Sequence, residues 1–289
     1  MANSFFRLLA ALSLGAALLC AVSCKCDSRR LADIKLRDGE SVLKEGRNIF
    51  TVDRNGVVRR INPDRKDVYL VFTAHFSTDD NGYFENFDGI EPVLDVLGAK
   101  GVKGSFFPTG NCFRVDRYKP FLRRILDEGH YLSHHSDRHL LLSTEDGRDS
   151  TLVPSDSLKA DFAAVEAELT ALGLGKKQFD WMIPPYEHCN AETADMMRSC
   201  GYSLVCPSFG FSTGGDWIST ESRSYKTAAQ TLERVWKYEE ENGLDGCVIL
   251  VHPMIYPVRD VEEHIFYHLE EMIDTLKARG YGFKTFKNL

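Results

Sequence analysis

Several things this sequence lacks narrow it before anything it contains. It has eight cysteines, yet no two stand in a Cys-x-x-Cys spacing, so a cysteine zinc site is not indicated. Basic residues do not prevail. Lys and Arg number 35 against 42 Asp and Glu, and the net charge of −7 argues against the broad cationic footprint of a nucleic-acid binder. That balance suits a soluble enzyme acting on a neutral or a cationic polymer equally well. No long Ser/Pro linker and no internal repeat divides the chain, which excludes a solenoid or an array of modules. The apolar run from Leu8 to Cys20 falls short of the roughly 20 residues a membrane-spanning helix needs.

That run nonetheless has a reading. Arg7 closes a short polar head, the apolar stretch follows, and Ala21-Val22-Ser23-Cys24 supplies small residues before a cut point. The pattern is that of a signal peptide over residues 1–23. Ala-Val-Ser-Cys is similar to a bacterial lipobox, which implies acylation at Cys24, export and anchoring to the membrane of the cell envelope. An ordinary signal peptide with an incidental cysteine is the alternative. Charged residues begin straight after Cys24, at Lys25, Asp27, Arg29 and Arg30. Export permits disulfides. Cys189 and Cys200 flank an expected helix, and both a disulfide between them and buried free thiols stay open.

Residues 24–66 read as an N-terminal extension. Ile49 to Val52 and Val57-Val58, separated by the turn residues Asp53-Arg54-Asn55-Gly56, predict a small β-hairpin. From Asp67 onward short β-rich runs alternate with amphipathic helices. Val68–Thr73, Ser105–Phe107, Tyr131–Ser133, Asp180–Ile183, Tyr202–Cys206, Cys247–Val251 and Tyr281–Phe283 are the expected strands. Helical spacing appears between them, as in Ile90, Val93, Leu94, Leu97 and in Leu158, Phe162, Val165, Leu169. About seven βα units in one α/β domain, residues 67–289, favour a barrel of parallel strands over an open sheet. In such folds chemistry gathers at the C-terminal ends of the strands.

Two strand ends carry histidines. The third expected strand runs into His134-His135-Ser136-Asp137-Arg138-His139. Imidazole nitrogens bind zinc, and His135 and His139, four apart, converge on one ion if the segment forms a helical turn. His130 is expected to be structural. His134 points away from His135 if the strand continues, toward the core. The strand Cys247–Val251 ends at His252, on the same rim, where an imidazole suits proton transfer near neutral pH.

Here a resemblance becomes specific. Gly129 to His139 resembles the metal motif of the polysaccharide deacetylase family (the NodB-homology domain), with His135, Ser136 and His139 on its ligand positions. Lys103 to Gly110 resembles the family's second strand, Pro184-Pro185-Tyr186 its Arg-Pro-Pro-Tyr-Gly segment, and Asp216-Trp217 its Asp/Trp segment. Ile249-Leu250-Val251-His252 matches its last motif. The resemblance covers about Val68 to Phe283. It implies a distorted (β/α) barrel and a metal-dependent hydrolase that removes acetyl groups from an N- or O-acetylated glycan. It also implies a divalent metal ion and His252 as general acid. Tyr186 and Trp217 are candidate substrate-binding aromatics, able to stack on sugar faces, with core or loop packing as the alternative. Zinc is favoured by imidazole ligands, though cobalt, nickel and iron also accept them.

One motif is broken. The family's Thr-Phe-Asp-Asp carries its base and a metal ligand at the end of the first strand, but here those positions are Thr73 and Ala74. The motif's Arg is Ile183 and its Gly is Glu187. If catalysis persists, its parts are redistributed. His75 becomes the candidate third metal ligand, giving three imidazoles with an open position. Glu187, or Asp80 from the loop after the strand, becomes the candidate base. A helix cap or ion pair for Glu187, and a solvated acidic turn for Asp79 and Asp80, are the structural alternatives. Tyr83, Phe84 and Phe87 are further candidates for stacking on sugar faces. Two other functions stay in view: a non-catalytic, surface-bound glycan binder, and a hydrolase of a different C–N amide bond.

Overall fold

The computed structural model describes residues 34–37, 39–76, 86–147, 149–287 and 289. The leader, the lipidation candidate Cys24, and Asp79, Asp80, Tyr83 and Phe84 lie outside the described residues. Residues from Arg37 to Leu289 form one compact unit.

The fold is a distorted α/β barrel with seven strands in its wall. β4 (Asp67–Ala74) is the central staff. It pairs in parallel with β9 (Val248–Val251) on one edge and with β5 (Ser105–Pro108) and β10 (Gly282–Lys284) on the other. β6 (Tyr131–Leu132) continues the sheet from β5, and β7 (Trp181–Met182) pairs in parallel with β8 (Ser203–Leu204). The seven segments expected as strands are all strands, several of them shorter than their apolar runs.

Period-two alternation divides the apolar residues into two layers. Tyr69, Val71, Phe107, Tyr131, Ile183, Val248 and Leu250 fill the barrel interior. Val68, Leu70, Phe72, Phe106, Leu132 and Ile249 face outward, against the helices. The helices sit on that outer layer because each has one apolar stripe. α1 (Ile90–Lys100) buries Ile90, Val93, Leu94 and Leu97 and stops at Gly101, whose φ of 62° is a left-handed C-cap. Short α2 (Gly110–Arg114) and α3 (Lys119–Asp127) follow β5. α4 (Ser155–Ala171) buries Leu158, Phe162, Val165 and Leu169. α5 (Ala191–Ser199) is capped by Asn190, whose side chain accepts from the Thr193 N–H at 2.8 Å. α6 (Ala228–Asn242) starts from Thr227 in a capping box with Gln230. α7 (Leu269–Ala278) follows a 3-10 turn over Ile265–His268.

The N-terminal hairpin is larger than expected. β1 (Ser41–Glu45), β2 (Asn48–Val52) and β3 (Val58–Ile61) form an antiparallel sheet. β1 gave no hydrophobic signal because most of its residues are exposed. The free edge of β3 runs along the junction of β8 and β9. Cys206 N donates to Val58 O at 3.0 Å, and Ile61 N donates to Gly246 O at 2.8 Å. Phe50, Val52, Val58 and Ile61 join the interior layer. Cys112, Cys189, Cys200, Cys206 and Cys247 are free thiols, so the Cys189–Cys200 disulfide is not made.

Candidate active site

The alternation that fills the barrel interior also builds the site. Counting by twos from Tyr69 reaches Thr73 and His75. Counting from Tyr131 reaches His135, and counting from Val248 reaches His252. All four side chains emerge at the C-terminal mouth, in a cavity of about 340 Å3 that also takes in His139, Glu187, Tyr186 and Trp217. The structure therefore brings together His75, His135, His139, Tyr186, Glu187, Trp217 and His252. Asp80 lies outside the described residues. Phe87 does not contribute, being fully buried against Tyr118. His134 points away from the cavity, into Phe162 and Tyr202, and His130 Nδ1 accepts from the Gly104 N–H at 3.0 Å.

His135 and His139 meet, but not through a helical turn. Ser136 (φ 66°) and His139 (φ 55°) adopt left-handed backbone, folding residues 133–139 into a tight loop. The Asp161 carboxylate of α4 pins it, accepting from the N–H groups of Asp137 at 2.8 Å and Arg138 at 3.2 Å. Ser136 Oγ accepts from the His139 N–H at 3.0 Å. On the other side Gly110 N donates to Ser136 O at 3.0 Å. A Cβ at Gly110 would stand 1.9 Å from Asp137 Oδ1, so only glycine permits this approach. The result sets the His135 and His139 rings 4.8 Å apart, with the His75 ring 4.5 Å from His139.

Hydrogen bonding fixes the tautomers. His135 Nδ1–H donates to the Ile183 carbonyl at 2.7 Å, which leaves Nε2 as a lone pair. Tyr186 N–H approaches His139 Nε2 at 3.5 Å, so that nitrogen also accepts. Burial keeps both rings uncharged: His135 is held down at about 3, and His139 well below the ordinary histidine value. Neutral imidazoles are the donors a borderline cation prefers; the His135 Nε2 lone pair is open, and that of His139 is met only by the long 3.5 Å contact from Tyr186 N–H.

Glu187 comes from the turn after β7. Tyr186 (φ 58°) and Glu187 (φ 53°) are both left-handed, a conformation glycine adopts without penalty and other residues resist. With Ser136 and His139 they make four of the five non-glycine left-handed residues among those described. Strain of this kind persists where the surroundings over-determine it, and here it is concentrated on one site. The turn sets Glu187 Oε1 3.5 Å from His135 Nε2. Two acceptors face each other there, a situation that a proton or a cation between them relieves. Burial pushes the Glu187 carboxyl up, as does Asp216, while His252 and Arg59 oppose the shift. The helix-cap alternative for Glu187 fails, since Asn190 caps α5.

Opposite stands His252, whose Nδ1–H donates to Asp216 Oδ1 at 2.8 Å. Burial alone would lower this imidazole, but the Asp216 carboxylate, with Glu187 behind it, raises it above the ordinary value. Sequence reasoning left Asp216 without a role. Its signal was the match of Asp216-Trp217 to a family segment, which does not reveal its partner, because it and His252 lie 36 residues apart. Tyr186 and Trp217 are 44% and 46% exposed at the rim, available as flat apolar surfaces.

The donor chemistry of His135 and His139 fits a divalent cation, and His75, stacked on His139, is the nearest candidate for a third donor. The ring orientations do not yet focus such an ion. Among the described residues no three His, Cys, Asp or Glu side chains converge as a metal site, since His75 and His139 stack nearly face to face at 29°.

Comparison with known proteins bears on the family and the fold. The polysaccharide deacetylase family model matches residues 61–205, half of the chain. The peptidoglycan-N-acetylmuramic acid deacetylase PdaA of Bacillus subtilis is 29% identical over 229 residues, 79% of this chain and 73% of that protein. The structure of a family 4 carbohydrate esterase from Bacillus anthracis superposes with a TM-score of 0.54 at 26% identity, covering 80% of this chain and 86% of that one. A family 4 pseudoenzyme from Bacillus anthracis shares the fold, with a TM-score of 0.59 at 17% identity over 86% of this chain and 89% of that one.

Proposed function

The chain belongs to the polysaccharide deacetylase family, and from that membership we propose a metal-dependent hydrolase that removes acetyl groups from an exported or envelope-associated glycan. One observation carries the reading. Two uncharged imidazole acceptors, His135 and His139, share a cavity with a carboxylate, Glu187, and with a carboxylate-backed imidazole, His252. Each part of an amide hydrolysis has a counterpart there.

His135 and His139, with His75, would hold the divalent cation. Bound there, such an ion lowers the pKa of water toward about 7 and polarises the acetyl carbonyl. Glu187 accepts a proton from the attacking water as its oxygen bonds to the acetyl carbon. Against the pull of burial, the Asp216 carboxylate raises the His252 imidazole above its ordinary value, favouring the protonated form that a general acid needs. The imidazole keeps Nδ1–H on Asp216 and delivers the Nε2 proton to the leaving nitrogen as the C–N bond breaks. Tyr186 and Trp217 offer stacking surfaces at the mouth. The described cavity lining includes Glu145 and Glu187 and no Lys or Arg, which favours a neutral or cationic sugar over an anionic one. Acylation of Cys24 would tether the enzyme beside such a polymer, a part of the proposal supported by the leader pattern.

A second reading rests on Thr73 and Ala74, which leave the end of β4 without a carboxylate. On that reading the protein binds glycan and does not turn it over. Zinc content and acetate release from acetylated oligosaccharides separate the two. Bound metal with acetate released supports hydrolysis. Bound metal without hydrolysis of any acetyl substrate supports the binder, and turnover of a non-acetyl amide would redirect the chemistry to another bond.

A further inference from the structure

The end of β4 is not inert. Thr73 follows Tyr69 and Val71 on the inward face, and its side chain opens into the same cavity as His75, His135, His139, Glu187 and His252. It is only 2% exposed, and its Oγ1 has no hydrogen-bond partner in the protein. A buried hydroxyl left unpaired is destabilising, and valine would fill the same β-branched volume in this strand without that cost. The other buried hydroxyls in this part of the wall are used. Ser133 Oγ donates to Trp181 O at 2.6 Å, and Thr213 Oγ1 donates to Leu250 O at 2.5 Å. Thr51 Oγ1 and Ser143 Oγ are also buried without a partner, but neither residue lines the cavity, so among the described residues Thr73 carries the one unpaired buried hydroxyl that borders the reaction space.

We propose that Thr73 Oγ1 holds the attacking water, an inference that rests on the hydrolase reading above. A water molecule directs two protons and keeps lone pairs for its other partners. With one proton given to Glu187 and the other hydrogen-bonded to Thr73 Oγ1, a lone pair is left to form the bond to the acetyl carbon. The proton on Glu187 and the one delivered by His252 to the nitrogen balance the step, and Thr73 itself gains and loses nothing. Its hydroxyl can also donate, so it follows the water as negative charge grows on the oxygen.

The test compares Thr73→Val with Thr73→Ser in the full chain on an acetylated oligosaccharide. The valine variant should lose kcat on the order of 10- to 100-fold, as expected when a reacting group is mispositioned. Its KM, its metal content and its Tm should stay at wild-type values, with Tm free to rise because the orphan is gone. Serine, which keeps the hydroxyl, should retain most of kcat. Wild-type kcat in Thr73→Val overturns the proposal, as does a loss of kcat that comes with lower Tm or less bound metal. If Thr73→Val does not fold, Thr73→Ala carries the same comparison. Failure of the wild-type protein to release acetate from any substrate would sink the hydrolase reading itself, an outcome distinct from a normal valine variant.

Discussion

Replacing Asp216 with Asn separates the charge of one buried group from its shape. The amide keeps an oxygen for His252 Nδ1–H, so the 2.8 Å contact survives while the negative charge is removed. A hydrogen bond to a charged group contributes about 1.5–3 kcal/mol, and at about 1.4 kcal/mol per pK unit the loss is worth roughly 1–2 units. Burial already pulls the His252 imidazole down, and Glu187 is then the carboxylate left to hold it up. The alkaline limb of kcat/KM, which follows deprotonation of the general acid, should move toward acid by about 1–2 units. Above the new limb the rate should fall by about 10- to 100-fold, with most activity kept on its acid side. Stability carries the same sign. A raised folded-state pKa contributes stability below the unfolded histidine value of about 6.5 that is lost as pH rises through the folded value. The wild type's advantage over Asp216→Asn should therefore be largest in mild acid and shrink with alkali. Acetate release against pH, a proton NMR titration of His252 and denaturant melts at several pH values read all three. An alkaline limb that stays in place, or a stability gap that widens with pH, would refute the reasoning.

Other outcomes follow from the same site. His139→Ala should abolish metal retention, while His252→Ala should keep the metal and lose most turnover; metal analysis beside acetate release distinguishes them. Glu187→Gly removes a left-handed non-glycine residue, at φ 53°, so the fold should gain about 0.5–1 kcal/mol after allowing for the extra freedom of unfolded glycine. Turnover should collapse in that variant, and Glu187→Gln should lose turnover without the gain in Tm. Gly110→Ala forces a Cβ against Asp137, and overpacking of this kind costs about 1–3 kcal/mol. Because the same contact shapes the loop at His135 and His139, its metal affinity should fall together with its Tm.

Much of this was legible in the sequence because two periodicities carry it. Apolar residues at helical spacing marked the stripes of α1 and α4, and the strands showed as short apolar runs. The positions of His135 and His252 followed from strand ends alone. What escaped was long-range or conformational. Asp216 reaches His252 only once a loop has folded back across the mouth, and no local pattern announces that. The convergence of His135 and His139 was expected from a helical turn but comes from left-handed residues that Asp161 holds from a separate helix. β1 is mostly exposed, so its strand character lies in backbone pairing with β2 and not in its side chains.

The clasp that β3 makes over the β8–β9 junction has a consequence for how the chain is made. Those residues leave the ribosome early, yet one of their partners, Gly246, is synthesised some 185 residues after Ile61. Contacts so distant in sequence form late and slowly. The nascent barrel must wait with its seam open, and a gene shortened to begin at the first parallel strand would encode a wall that never acquires its fastener.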